Sequence, residues 1–119
     1  AKYHHLPIAM NGVGTDNLVS IWSHLPLDVI AIDWRSSIVM ANERGVTQTV
    51  QGNLDPAYLF GDEKTLAHEV DRILLEGVRY GRHIFNLGHG VFPEADPQKL
   101  HWLTDYVHER SREIWAQER

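Results

Sequence analysis

The chain has 119 residues, 43% hydrophobic and 23% charged, which is the balance of one ordinary globular domain and excludes a disordered chain. Its net charge of −5 leaves no broad basic field for nucleic acid, and no apolar run approaches the ~20 residues of a membrane span. The absence of cysteine removes disulfides, thiolate nucleophiles and cysteine-based zinc sites, and fits a reducing compartment.

In chain order, the first expected strand is Leu6 to Met10, with Ile8-Ala9-Met10 continuously apolar. Asn11-Gly12-Val13-Gly14 follows; it lacks the third glycine of a dinucleotide loop and the Gly-Lys-Ser/Thr of a P-loop, so it reads as a tight turn. A helix is predicted over Asn17 to His24, with Leu18, Ile21, Trp22 and Leu25 at helical spacing. The second strand, Asp28 to Asp33, contains the unbroken apolar run Val29-Ile30-Ala31-Ile32. Runs of this kind suggest strands covered on both faces, as in a parallel sheet. A short helix from Ser36 to Arg44 ends at Gly45. The third strand spans Thr47 to Leu54, and Asp55-Pro56 reads as a turn that starts a helix.

The clearest helix begins after Asp62, a plausible N-cap, places Leu66, Val70, Ile73 and Leu74 on one stripe, and is expected to stop at Gly77. The fourth strand is His83 to Leu87. The last helix opens at Asp96-Pro97 and carries Leu100, Leu103, Val107 and Ile114. Such β-α alternation implies right-handed crossovers and a parallel sheet. Two architectures fit: half of an eight-stranded (β/α) barrel, or a small open doubly wound parallel sheet. In both, ligands gather at the carboxyl ends of the strands, and all four ends here are polar or glycine-rich.

His89, between Gly88 and Gly90 at the end of the fourth strand, is the foremost site candidate. The glycines remove bulk beside it, and its ring could offer a hydrogen bond or a positive charge to a carboxylate. Asp33, Trp34, Asn53, Asn86, Gly88 and Gly90 are possible site-lining residues. For Asp33, Trp34 and Arg35 the plainer reading is a helix-capping Asp, a packing Trp and an Arg paired with Asp33. Asn53 reads as a brace of its loop. His4-His5, His101 and His108 lack metal-pair spacing and read as solvent-facing. No metal and no cofactor are expected.

Three stretches carry a resemblance: residues 27–34 (Leu27 to Trp34), Val50-Gln51-Gly52-Asn53-Leu54-Asp55-Pro56, and Ile84-Phe85-Asn86-Leu87-Gly88-His89-Gly90-Val91-Phe92-Pro93, with Val107-His108 near Ser111 in the last helix. In this order they resemble the carboxyl-terminal part of the uroporphyrinogen decarboxylase family, over essentially the whole chain. The resemblance implies a (β/α)8 barrel of which this segment supplies the last four βα units. It also implies a cofactor-free, homodimeric, cytoplasmic lyase of haem biosynthesis, which removes the four acetate carboxyl groups of uroporphyrinogen III to give coproporphyrinogen III. His89 is the one substrate-site residue of the family that maps here. The arginines near the first strand, the central aspartate that binds the pyrrole N–H groups, and the pocket tyrosine and serine or threonine belong upstream, and Ala1 in first place fits such an upstream segment. The isolated segment is therefore expected to be inactive, with the remaining half of the barrel supplied in cis or in trans. Two other readings stay open: a zinc-dependent methyltransferase of the same superfamily, made less attractive by the lack of cysteine, and a non-catalytic fragment that binds a partner or porphyrin.

Overall fold

A computed structural model describes residues 5–14 and 16–118. His4 of the His4-His5 pair lies outside them. Among the described residues, four parallel strands form one sheet in the order β1 (Ala9–Met10), β2 (Val29–Ala31), β3 (Thr49–Gln51), β4 (His83–Ile84). Between and after them lie α1 (Val19–Trp22), α2 (Ile38–Glu43), α3 (Glu63–Tyr80) and α4 (Pro97–Glu118). The spatial order equals the chain order, so the sheet has no reversal. A doubly wound sheet turns back at a switch point, and this strand order lacks one. The ladder is shorter than the apolar runs, but pairing persists beyond it: Leu54 bridges Leu87, and Leu54 N–H donates to the Asn86 carbonyl at 3.1 Å.

The register aligns Met10, Ile30, Val50 and His83 in one row. Ile30 and Val50 are fully buried beneath the helix layer, with Ile38, Leu66, Val70, Ile73 and Leu103 in the same core. The neighbouring row, Ala31, Gln51 and Ile84, belongs to the opposite face. That face is only half covered, and Ile84 is 46% exposed. Burial thus alternates along each strand, although the sequence run does not. Continuous apolarity predicted two covered faces; among the described residues helices bury only one.

The helices start where short polar side chains can take a free N–H. Ser37 Oγ accepts from Met40 N–H (3.1 Å), Asp62 from Thr65 N–H (2.7 Å) and Asp96 from Gln98 N–H (2.9 Å). Asp55 accepts from Ala57 N–H and opens a 3-10 turn, Pro56–Phe60, as the Asp-Pro pair led one to expect. The first helix is shorter than its spacing predicted. A 3-10 turn, Asp16–Leu18, precedes only four α residues; Val19 is buried, while Ile21 and Leu25 are exposed. Two local features stop it. The Ser23 hydroxyl bonds back to the Ser20 carbonyl at 2.6 Å, and Pro26 disfavours helical geometry at Leu25.

The third helix does not stop at Gly77. It continues to Tyr80 and closes on Gly81, whose φ of 98° suits a residue without a Cβ and whose N–H returns to the Gly77 carbonyl. Gly77 serves packing instead. A Cβ there would lie 2.1 Å from His83 Nδ1, so the glycine is what lets the β4 imidazole pack against the helix. His83 Nε2 donates to the Gly52 carbonyl at 2.6 Å. Farther along, Asp71 on α3 accepts from Tyr106 (2.7 Å) and Arg110 (3.1 Å) on α4 and joins the two long helices. Burial, with the Asp71 bond second, pushes the Tyr106 phenol up to about 12.

Two outcomes are expected. Gly77→Ala adds up to about 1 kcal/mol of helix propensity but drives a methyl into the His83 ring, for a net loss of roughly 1–2 kcal/mol in urea unfolding. Burial is also the main influence on His83, and it holds the imidazole below its ordinary 6.5 against the opposing pull of the Gly52 carbonyl and Glu76. The unfolded imidazole therefore takes up its proton first as pH falls. Stability contributed by neutral His83 is present above about pH 6.5 and is lost progressively below it. Urea titrations at pH 7.5 and 5 should show a smaller difference for His83→Gln than for the parent.

Candidate functional site

At the carboxyl ends of the strands lies an open cavity of about 520 Å³. Its wall takes Val13 from the loop after β1, Ile32 from the end of β2, Gln51 from β3, and Asn86, His89 and Val91 from the segment after β4. A second cavity of about 580 Å³ lies on the helix side at the start of β4, between α3 and α4. The strand-end cavity is the better site: all four strand ends converge on it, and parallel α/β sheets present ligands there.

The loops around this cavity are joined through Asp33, Trp34, Arg35 and Ser36. The Asp33 carboxylate is 3% exposed; Oδ2 accepts from Gly14 N–H (2.5 Å) and Oδ1 from Arg35 N–H (3.0 Å). It ties the β1 loop to the β2 loop and does not cap α2, a task Ser37 performs. Asn53, 2% exposed, reaches across from the end of β3; its Nδ2 donates to the carbonyls of Asp33 (2.9 Å) and Ser36 (2.6 Å). This direction is forced, because a flipped amide would set an oxygen against two carbonyl oxygens. Asn53 Oδ1 is buried without a donor among the described residues. The peptide before it, Gly52–Asn53, is cis.

Gly88 completes the junction. A Cβ on it would lie 2.5 Å from the Trp34 nitrogen, while its N–H donates to the Leu54 carbonyl at 2.7 Å. The close approach that this glycine permits is therefore to the chain's own β2 loop. Gly90 differs, since a Cβ there would meet open space. Asn86 is exposed, and its Oδ1 accepts from Leu87 N–H at 2.8 Å.

His89 is exposed, yet its ring is held on three sides. Nδ1 donates to the Gly90 carbonyl at 3.0 Å. The Trp34 ring meets it at 73° with centroids 5.6 Å apart, and Phe92 stacks on it at 6.0 Å. Phe60 stacks in turn on Phe92 at 5.8 Å, which makes a row of four rings across the strand ends. With Nδ1 occupied by a carbonyl, Nε2 is the ring nitrogen without a hydrogen bond among the described residues. It accepts a hydrogen bond when the ring is neutral and donates one when the ring is protonated.

The candidates thus fall into two groups. Asn86, Gly88, His89 and Gly90 border the cavity; Asp33 and Asn53 lie buried behind it, and Trp34 lies between. Gln51 and Phe92 lie inside the stretches that carry the resemblance but are not among the candidate site residues read from sequence. Gln51 carried a faint signal, a polar residue inside an apolar run, beside Ala31 on the half-covered face. Phe92 gave none, because the three-residue step from His89 to Phe92 becomes ring stacking only in this loop geometry.

The family model described as uroporphyrinogen decarboxylase (URO-D) matches residues 1–110. Curated relatives named uroporphyrinogen decarboxylase include that of Oceanobacillus iheyensis, 48% identical over 112 residues, which cover 94% of this chain and 32% of the relative. That of Staphylococcus carnosus is 46% identical over 109 residues, 92% of this chain and 32% of the relative. That of Staphylococcus aureus strain Newman is 46% identical over 105 residues, 88% of this chain and 30% of the relative. The chain spans about a third of the length of the curated relatives it matches. Matched by the model along most of its length and by relatives at this identity, the chain belongs to the uroporphyrinogen decarboxylase family.

Proposed function

We propose that the chain is the carboxyl-terminal, four-unit part of a (β/α)8-barrel uroporphyrinogen decarboxylase, and that it contributes one wall of the substrate site. The observation that carries this reading is His89, held by Gly90, Trp34 and Phe92 at the strand-end cavity, with no partner on Nε2 among the described residues. The relatives' names support the decarboxylase over a zinc methyltransferase. The unreversed strand order and the half-covered face with Ile84 and Gln51 agree with a barrel wall whose interior is closed by further strands. Those strands come from the remainder of the barrel, in cis or in trans, within a cytoplasmic homodimer that uses no cofactor.

The reaction takes uroporphyrinogen III to coproporphyrinogen III by removing four acetate carboxyl groups. A pyrrole ring carbon takes up a proton; the bond between the methylene and its carboxylate then breaks, and the electron pair moves into the cationic ring as CO2 leaves. The methylene is protonated to a methyl, and the ring proton departs. A fixed anion must stabilise the cationic ring, and a donor must supply the proton. Asp33 is not that anion, because both of its oxygens serve backbone N–H groups out of reach of solvent. His89 binds instead: with Nε2 protonated it donates to a substrate carboxylate. The acid and the pyrrole anchor lie in the remainder of the barrel.

Uroporphyrinogen consumption by the isolated 119-residue chain should therefore not exceed the uncatalysed rate; turnover near that of a full-length enzyme would contradict the reading. In the full-length protein, His89→Ala should lower kcat/KM by roughly 10–100-fold, the worth of one hydrogen bond to a charged group. Unchanged kinetics would remove His89 from the site.

A further inference from the structure

The proposed substrate carries eight carboxylates, and the segment that would bind one side of it has a net charge of −5. Cations at the strand ends are correspondingly scarce. The connections leaving the carboxyl ends of the four strands are residues 11–18, 32–37, 52–62 and 85–96, and Arg35 is the only lysine or arginine in them.

The structure links this arginine to His89 through one indole ring. Arg35 Cζ lies 4.6 Å from the Trp34 ring centroid, over its face, and the same indole meets the His89 ring at 5.6 Å. The two groups are therefore separated by no more than those two distances laid end to end. The Arg35 side chain is 55% exposed. Its Nη1 stands 3.9 Å from Asp33 Oδ2, an ion-pair separation too long for a hydrogen bond, and Asp33 already accepts from two backbone N–H groups. Among the described residues the guanidinium thus keeps donors for a ligand, while the indole and Asp33 limit where it can go. Laying a guanidinium over an aromatic face while more than half of the side chain stays exposed is a sound way to present a bidentate carboxylate site.

We infer that Arg35 is a second carboxylate-binding residue, which, with His89, grips one acidic arm or two neighbouring arms of the porphyrinogen; the inference rests on the decarboxylase reading above. Trp34 is the positioning residue of the pair, since its ring touches both. The planar fork matters as much as the charge, so lysine should replace arginine only in part.

The test uses the full-length protein that carries this segment, with Arg35→Gln and Arg35→Lys. KM for uroporphyrinogen and the dissociation constant of uroporphyrin, the oxidised macrocycle with the same eight carboxylates, are measured at several ionic strengths. Arg35→Gln should raise KM and weaken uroporphyrin binding by about tenfold or more, with kcat within about twofold. Arg35→Lys should fall between parent and Gln variant. Because the lost interaction is between charges, both constants should also vary less steeply with salt in the Gln variant. A tenfold effect with an unchanged salt dependence would mean that Arg35 acts only through the fold, and would overturn the proposal. So would constants within twofold of the parent for Arg35→Gln. If the parent binds uroporphyrin through Arg35 but consumes no uroporphyrinogen, the decarboxylase reading falls and the carboxylate site stands.

Discussion

The Nδ2 group of Asn53 reaches from the end of β3 to the carbonyls of Asp33 and Ser36, and the other strand ends are arranged around the loop it holds. From the same loop the Asp33 carboxylate takes the N–H of Gly14, at the end of the β1 connection. The Trp34 backbone lies where a Cβ on Gly88 would stand, so the segment after β4 closes on it as well. Four connections that would otherwise move separately become one surface. The Asn53 bonds are buried and the Asp33 bonds part-buried, where an unpaired partner is costly, so losing one bond should loosen its neighbours.

This junction also reaches the helix layer. Gly77 on α3 leaves room for the His83 ring, His83 holds the Gly52 carbonyl, and Gly52 precedes Asn53 in the chain. The contiguous path runs from the packing of α3 on β4 to the loop that carries Trp34 and Arg35. The segregation is clear: buried polar groups hold the frame, while His89 and Arg35 stay exposed, as the proposed carboxylate contacts require.

Much of the frame was legible in the sequence because the signals were local. Asp62 before the stripe of α3, Asp55-Pro56 and Asp96-Pro97 each act within one turn. The end of α3 was not, because Gly77 and Gly81 offer the same sign for different reasons, one packing against a residue six positions on and the other closing the helix. The first helix lost its expected length to Ser23 and Pro26, and its stripe of Leu18, Ile21 and Leu25 stays exposed. Coverage of the sheet faces depends on chain beyond local reach, so continuous apolar runs could not reveal a half-covered face. At the site, His89 stood out through its flanking glycines, whereas the two glycines turned out to face different things: Gly88 the Trp34 backbone, Gly90 open space. The assignment of Asp33 to the β1 loop needed a contact nineteen residues back in the chain.

Amide hydrogen exchange on the full-length protein with Asn53→Asp tests the central role of this junction most directly. The aspartate keeps the size of the side chain but carries no N–H to offer two carbonyls. The amides of Gly14, Arg35 and Gly88 should then lose protection while those of Leu66, Val70 and Ile73 in α3 keep theirs. Unchanged protection at the three strand-end amides, or an equal loss at both sets, would contradict it.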